Sequence, residues 1–346
     1  MRIPVPFQEY ALPTLFAVIG LAMCMFTGIA PTFLLNELIM RIVFHGALVL
    51  ALLPPLQAGM GFNFATGLGI WAAQAGFLAA SAYGFSGASG SVITLVIGLL
   101  LAGVLGAGIG WLLSRMPGME MLMTLFLLIP LSMFPLLMIT KGLRALLPEP
   151  FPGPVSRYAN DFVDLKPFNH SLTFRVQVGD FLIPLGPIVL IVLASFAVWA
   201  YLDSRYARQA DDAEKQPSAS THKIIAFALS LMLACLSQSI ILQGRPAVLP
   251  HSPLSRTLFP IVPAVIAGGA LLHRAGLRHA FLGMFALNLV YIPLAEWFGG
   301  GFEIIQVIVS NGLILYALTR PDPITGLNGI QTSLSETLLS GSRIRR

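Results

Sequence analysis

The sequence predicts an all-α integral membrane protein, a polytopic bundle of about ten transmembrane helices with both termini inside (N-in and C-in). The 346 residues are 56% hydrophobic and only 10% charged, whereas soluble domains carry about 25% charged residues. Several apolar runs approach or exceed the roughly 20 residues that cross a bilayer as a helix. Transmembrane β-strands would be about 10 residues long and would alternate in polarity, which this chain does not do.

Ten apolar runs are candidate spans, and two of them are irregular. The spans are 11–29, 38–58, 62–82, 92–113, 121–140, 182–202, 223–243, 257–272, 279–297 and 302–319. Span 62–82 is rich in glycine, and span 257–272 is short and contains Pro260 and Pro263. Such interruptions are tolerated where neighbouring helices cover the freed backbone groups, so we expect both segments inside the bundle. Whether these two cross the bilayer completely stays open.

The first span is expected to remain in the mature chain. It contains LAMC at 21–24, which faintly resembles a lipoprotein cleavage site, but the Met before Cys24 does not fit and another span follows at once. The only other cysteine, Cys235, also lies in an apolar run. We therefore expect neither a structural disulfide nor a metal site.

The distribution of Lys and Arg sets the predicted orientation. With the N-terminus inside, twelve basic residues lie on the inner side and eight on the outer side. Five of those eight lie in or beside one long outer loop, 141–181. Topology also explains the net charge of +5, so no nucleic-acid partner is expected. Gaining or losing one weak span would place the two ends on opposite sides.

Two loops and a tail complete the predicted organisation of a single transmembrane domain, 1–320. The outer loop 141–181 is rich in Pro and aromatic residues, and SLTFRVQV within it alternates like a short strand. The inner loop 203–222 is the most charged part of the chain. The polar segment 321–346 is expected to be a disordered cytoplasmic tail.

The spans carry few groups for chemistry. We find no metalloprotease, nucleotide-binding or hydrolase motif, and the middles of the spans have essentially no Asp, Glu, Lys or Arg. Neutral polar residues within spans could line a solute path, or could equally join helices to one another. On a helix, Asn63, Thr66 and Gln74 would share one face. The candidate path residues are Asn63, Thr66, Gln74, Asn288, Gln306 and Ser310.

Five segments, in order, resemble the permeases of ATP-binding-cassette (ABC) importers for ribose, nucleosides and branched-chain amino acids. The segments are GMGFNFATGLGIWAAQAGFLAA at 59–80, PGMEMLMTLFL at 117–127, FLIPLGPIVLIVLASFAVWAYLDSRYARQ at 181–209, LFPIVPAVIAGGALLHRAGLRHAFLGMFALNLV at 258–290 and FEIIQVIVSNGLILYALTR at 302–320. The resemblance covers roughly residues 40–320. Two features depart from the family pattern. The Gly-Asn-x-x-Ala-Ala-like run and following Gly of the coupling loop are eroded, and a Gly-Gly-x-Asp-Leu-Ser run typical of sugar permeases is absent. The missing run weakens the sugar assignment, so the implied solute is a sugar, a nucleoside or an amino-acid-like molecule.

The resemblance implies a permease subunit in a bacterial cytoplasmic membrane that forms the path of a small polar solute and is not itself an enzyme. Its implied partners are ABC subunits that bind ATP-Mg, a second permease copy or paralogue, and an extracytoplasmic solute-binding protein. The chain itself would hold no cofactor. Loop 203–222 would be the coupling loop that seats on the ATPase, through Tyr206, Arg208, Asp211, Asp212 and Glu214.

Two other functions remain open from the sequence. The first is an ATP-independent secondary or passive carrier, which ten spans and interrupted helices also fit. The lack of acids within the spans argues against ion coupling, although facilitated diffusion needs none. The second is a membrane protein without a transport role, such as an assembly factor or an enzyme for lipid-linked substrates. The sequence leaves the solute, the direction of transport and the choice between homodimer and heterodimer undetermined.

Overall fold

The computed structural model describes most of the apolar chain and leaves several segments aside. The described residues are 5–116, 118–127, 163–164, 168, 172–211, 219–244, 247–248, 261–270 and 275–319. Residues 141–162, which make up about half of the predicted outer loop 141–181, lie outside them, as does the tail beyond Thr319. The predicted tail 321–346 is therefore untested.

Eleven helices and four short strands are found among the described residues. The helices are α1 (Val5–Thr27), α2 (Pro31–Leu50), α3 (Leu53–Gln57), α4 (Gly67–Ala82), α5 (Gly87–Ser114), α6 (120–127), α7 (Leu185–Asp211), α8 (Ala219–Gln243), α9 (Ile261–Ala267), α10 (Leu277–Phe298) and α11 (Phe302–Thr319). Short 3-10 turns lie at Phe64–Thr66 and Gly299–Gly301. The strands are β1 (Val163–Asp164), β2 (Val176–Val178), β3 (Phe181–Ile183) and β4 (Ala247–Val248).

Six helical segments of the described chain are long and apolar enough to cross a membrane. They are Tyr10–Thr27, Pro31–Gln57, Gly87–Ser114, Leu185–Ser204, Thr221–Gln243 and Leu277–Phe298. Each overlaps one of the predicted spans, and the shorter apolar helix Ile304–Ala317 overlaps the last. The predicted class, a helical membrane-embedded protein, agrees with this architecture. The irregular span 62–82 contains a 16-residue α-helix, α4, and span 257–272 contains the seven-residue α9.

Helix α8 lies at the centre of the bundle and packs against α2, α4 and α5. Small residues allow these close approaches, as is usual between membrane helices. On α5, Gly98, Gly106 and Gly110 face α8, with buried Ala102 between them at the same spacing of four. A Cβ added at Gly106 would lie 2.6 Å from the Cα of Ala228. The glycines therefore set the distance between the two helices.

The chain is interrupted between α2 and α4. Pro54 and Pro55 have no N–H to donate to the carbonyls of Leu50 and Ala51, so α2 ends at Leu50 and α3 starts with prolines in its first turn. Beyond α3, the backbone turns with positive φ at Gly59 (76°) and Gly61 (75°). Such angles suit glycine, which has no Cβ. The result is a largely buried, mostly non-helical stretch between two apolar helices.

A small β-hairpin is attached to the start of α2. Strand β2 pairs antiparallel with β3, which confirms the predicted strand in SLTFRVQV over its last three residues. The Asn36 amide donates to the Asp180 carbonyl oxygen (3.1 Å), and its Oδ1 accepts from the Leu182 N–H (3.4 Å). One side chain on α2 thus holds the tip and the return strand of the hairpin.

Candidate functional site

A narrow interior pocket lies where the interrupted segment meets the start of α9. The free space inside it is about 10 Å³, room for about one water molecule. The lining residues are Leu52, Asn63, Phe64, Thr66, Ile261 and Val262. Four of these side chains are apolar and two are neutral and polar. Given its volume, the pocket in this conformation is too small to hold a solute.

The pocket lies well inside the bundle. Asn63 donates through its Nδ2 to the Ser230 Oγ on α8 at 3.0 Å. Ser230 is seven residues beyond Lys223 on α8, a rise of about 10 Å at 1.5 Å per residue. Lys223 marks the predicted inner end of that span. The interruption in the chain therefore lies about 10 Å deeper than this charged end.

Both the nitrogen and the oxygen of the Asn63 side-chain amide are hydrogen-bonded. Its Oδ1 accepts from the Ala65 N–H at 2.9 Å and so caps the 3-10 turn Phe64–Thr66, as Asn does at helix starts. The Thr66 hydroxyl donates to the Asn63 carbonyl oxygen at 3.1 Å. Asn63 is 2% exposed and Thr66 is 1% exposed. The turn that forms one wall of the pocket is thereby fixed by its own side chains.

Helix α6 supports the same wall from the other side. The Thr124 Oγ1 accepts from the Phe64 N–H at 3.4 Å and lies 3.3 Å from the Phe62 carbonyl oxygen. One turn earlier, Met121 fills the space beside Gly61. At the start of the helix, the buried Glu120 forms an ion pair with Lys223 of α8. The interrupted segment is thus enclosed between α6 and α8.

Gln57 connects the interruption to the second half of the chain. This side chain is 7% exposed, and its amide donates to the carbonyl oxygen of Ala275, two residues before α10. Helices α9 and α10 pack closely against each other. A Cβ added at Gly268, just after α9, or at Gly283 on α10 would collide with the opposite backbone. The pocket wall made by Ile261 and Val262 is therefore fixed to the wall made by Asn63.

The structure separates the three polar residues predicted to share a helix face. Asn63 has extended backbone (φ −89°, ψ 100°) and α4 begins only at Gly67, so the single-face argument is wrong. The reason is the Asn63 cap, which starts a 3-10 turn before the α-helix. Asn63 and Thr66 nevertheless both line the pocket. Gln74 is buried on α4, about two turns further along, and does not line it.

The other predicted path residues do not line this pocket. Asn288 donates to the Met284 carbonyl oxygen of its own helix at 2.8 Å. Ser310 is buried, with its Oγ 3.5 Å from the Tyr291 hydroxyl of α10. Gln306, one turn before Ser310 on α11, is half-buried. These contacts join a helix to itself or to its neighbour.

The predicted coupling loop 203–222 contains helix at both ends. Helix α7 continues to Asp211 and α8 starts at Ala219. Tyr206, Arg208 and Asp211 therefore belong to the last turns of α7, while Asp212 and Glu214 lie outside the described residues. The Tyr201 hydroxyl, 3.5 Å from the His222 carbonyl oxygen, connects the two helices.

Several contacts of the site were not predicted from the sequence. The partners of Asn63 and of the interrupted segment, Ser230 and Thr124, sit in apolar runs where nothing distinguishes them from other small polar residues. The contact between Glu120 and Lys223 could have been found from the sequence, because opposite charges begin two predicted spans on the same side of the membrane. Within the described part of the chain, no group of three His, Cys, Asp or Glu side chains could hold a metal ion.

No protein-family model, curated protein or solved structure matches this chain.

Proposed function

We propose that the protein is the membrane-spanning permease subunit of an ABC importer and that the interior pocket belongs to the path of a small, uncharged polar solute. The observation that carries the proposal is the pocket itself. It forms where helices are interrupted inside an apolar bundle, and its polar groups are the neutral side chains of Asn63 and Thr66. Irregular backbone at membrane depth is tolerated where it is buried in protein or lines a cavity, and transporters bind solutes at such breaks.

The contacts between distant segments support the proposed ten-span, N-in and C-in path. If the chain crosses the membrane ten times, each such contact must join ends on the same side. The outer contacts join Asn36 to Asp180 and Leu172 to Gln243, and the inner contacts join Gln57 to Ala275, Glu120 to Lys223 and Tyr201 to His222. All five pairs agree with the alternation. In this path α4 and α9 take the places of the irregular spans.

The ABC assignment draws on the ordered resemblance over roughly residues 40–320 and on the charged inner segment 203–222. In this proposal the ATPase subunits bind ATP-Mg and contact that segment. When they close on ATP, the segment transmits the movement to the transmembrane helices. A second permease completes the path, and a binding protein delivers the solute from outside a bacterial cytoplasmic membrane. The chain itself contributes the path and no reaction.

Affinity purification of the tagged chain from its native host in mild detergent tests the proposal. We expect an ATP-binding subunit, a permease and a solute-binding protein in the eluate, identified by mass spectrometry. Arg208→Glu in the inner segment should reduce recovery of the ATPase, whereas Lys166→Glu in the predicted outer loop should not. A chain that purifies without an ATPase would contradict the proposal.

The second candidate is an ATP-independent carrier, which the discontinuous helices at the pocket also fit. Reconstitution distinguishes the two functions once the solute is known from the co-purified binding protein or from a solute screen. Flux through liposomes that contain only this chain, without ATP, would favour the carrier. Flux that needs both the ATPase and ATP would favour the importer.

A further inference from the structure

We propose that Glu120 and Lys223 are a positioning pair that keeps the pocket closed toward the inner side of the membrane. This inference rests on the proposed function, because it treats the pocket as part of a solute path. The pair itself forms between the first residue of α6 and the first part of α8. The Lys223 Nζ lies 2.5 Å from the Glu120 Oε1.

The ion pair is largely removed from water. The Glu120 side chain is 6% exposed and the Lys223 side chain is 17% exposed. The second carboxylate oxygen, Oε2, accepts from the Gly118 N–H at 2.7 Å. Both oxygens of the carboxylate are therefore used, which fixes the orientation of the α6 start. Removing one partner of a buried pair leaves an uncompensated charge and is strongly unfavourable.

The pair is connected to the pocket wall within one helical turn. Met121 follows Glu120 and fills the space beside Gly61. Thr124, one turn beyond Glu120, bonds to the backbone at Phe62 and Phe64. Because α6 is held at its first residue by Lys223, these contacts hold the interrupted segment against α8. Release of Glu120 would free the inner end of this wall.

Helix α8 completes the connection. Lys223 and Ser230 are seven residues apart, which places them on the same face of the helix, about 10 Å apart along its axis. Lys223 holds Glu120 at the inner end, and Ser230 holds Asn63 at the pocket. The pair thus lies between the pocket and the inner surface, at the inner end of the wall that it supports.

The same pair adjoins the segment proposed to seat on the ATPase. Lys223 follows that segment directly, and the neighbouring His222 carbonyl oxygen is 3.5 Å from the Tyr201 hydroxyl of α7. A displacement of the α7–α8 connection therefore reaches Lys223 before any other contact of the pocket wall. The pair is placed to convert motion at the inner surface into opening of the pocket.

Cysteine accessibility tests this role without a known solute. The reporter is Thr66→Cys in a chain whose native cysteines, both buried, are replaced by Ala. Inside-out membrane vesicles are treated with a small membrane-impermeant thiol reagent. We expect Glu120→Gln or Lys223→Met to accelerate labelling of Cys at this position by roughly tenfold or more, since tenfold corresponds to only about 1.4 kcal/mol. The exchanged pair, Glu120→Lys with Lys223→Glu, restores the ion pair but not the bond to the Gly118 N–H, so it should slow labelling again without fully reaching the native rate.

Two controls separate positioning from general loosening of the fold. Glu37→Gln breaks the more exposed ion pair with Arg41 on α2 and should leave the labelling rate unchanged. A second reporter, Ser237→Cys, lies fully buried on α8 away from the pocket and should stay unreactive in every variant. If both reporters accelerate together, the pair only stabilises the fold and the proposal is overturned. Unchanged labelling in both single variants would overturn it as well.

The labelling result and the proposed function can fail separately. If an ATPase co-purifies and labelling does not respond to Glu120→Gln, the permease assignment stands and the positioning role is wrong. If labelling responds and the exchanged pair slows it again, but no ATPase co-purifies, the pair closes the pocket of a carrier that is not an ABC permease.

Discussion

At Asn63, one side chain divides its hydrogen bonds between its own backbone and a neighbouring helix. The Oδ1 caps the following turn through the Ala65 N–H, and the Nδ2 reaches Ser230 of α8. Because Asn63 is only 2% exposed, losing either bond would leave a buried polar group unpaired, so both fix the position of the chain interruption. Asn63 therefore sets the shape of the pocket wall.

A double-mutant cycle measures the bond between Asn63 and Ser230. We expect Asn63→Ala to lower the free energy of unfolding by about 1–2 kcal/mol, because it removes a cap and an interhelical bond. Ser230→Ala should cost less, and the coupling energy between the two changes should be about 0.6 kcal/mol, the average for hydrogen bonds between membrane helices. Unfolding in mixed detergent micelles supplies the free energies.

The matched control for this cycle is Ser195, whose hydroxyl donates to the Ile191 carbonyl oxygen of its own helix at 2.7 Å. Asn63→Ala combined with Ser195→Ala should show additive losses, since the two sites share no contact. Additivity in the Asn63–Ser230 cycle as well would mean that their bond does not contribute to stability.

At this scale the sequence indicates which residues are unusual but not what they contact. Asn63 and Thr66 stand out as polar residues in an apolar segment, and both line the pocket. Ser230 does not stand out from Ser237 or Ser239, which lie on the same helix. Its role depends on how α8 is rotated against the interrupted segment, and this rotation is set by packing with several other helices.

Among the elements, α5 shows how a uniformly apolar helix acquires two faces. Its small residues pack on α8, whereas its larger side chains point outward. Val96, Leu100 and Val104 recur every four residues and are half or more exposed. In a membrane the hydrophobic effect does not distinguish these faces, so side-chain size decides which one is buried.

Two glycines of α5, two residues apart, test this account. A Cβ at Gly106 would lie 2.6 Å from the Ala228 Cα, whereas nothing lies within 4 Å of a Cβ at Gly108. We expect Gly106→Ala to lower the free energy of unfolding by about 1–3 kcal/mol, because overpacking separates the helices. Gly108→Ala should be neutral or slightly stabilising, since Ala favours helix over Gly. Equal effects at both positions would contradict the packing described.

The positions of most spans follow from the sequence because hydropathy reports the length of an apolar run. The exceptions are the segments around α4 and α9. Both were identified as irregular from their Gly and Pro content, but the extent of helix was not predictable. It depends on local events such as the Asn63 cap and on neighbours that satisfy the free backbone groups. These two elements also form most of the pocket, so the least predictable part of the fold is the proposed site.

For the whole molecule, exposed apolar side chains surround a core that contains the polar groups. Large residues on α5, α7 and α11 are about half exposed or more, among them Leu100, Val104, Val189, Phe196, Ile304 and Ile308. Half of the buried polar residues in the described part of the chain lie on the central helix α8 and at the chain interruption, and the rest are spread over the other helices and the segment before the hairpin. This distribution suits contact with lipid on the outside and hydrogen bonding between helices on the inside.

The two ends of the bundle should be accessible from opposite sides of the membrane. Asp180, at the tip of the β2–β3 hairpin, and Asp203, in the last turns of α7, are both exposed, and most of helix α7 lies between them. In the cysteine-free chain, we expect Asp180→Cys to react with an impermeant thiol reagent in intact cells. Asp203→Cys should react only in inside-out vesicles. The reverse pattern would invert the orientation that the basic residues predict, and labelling of both from one side would mean that α7 does not cross the bilayer.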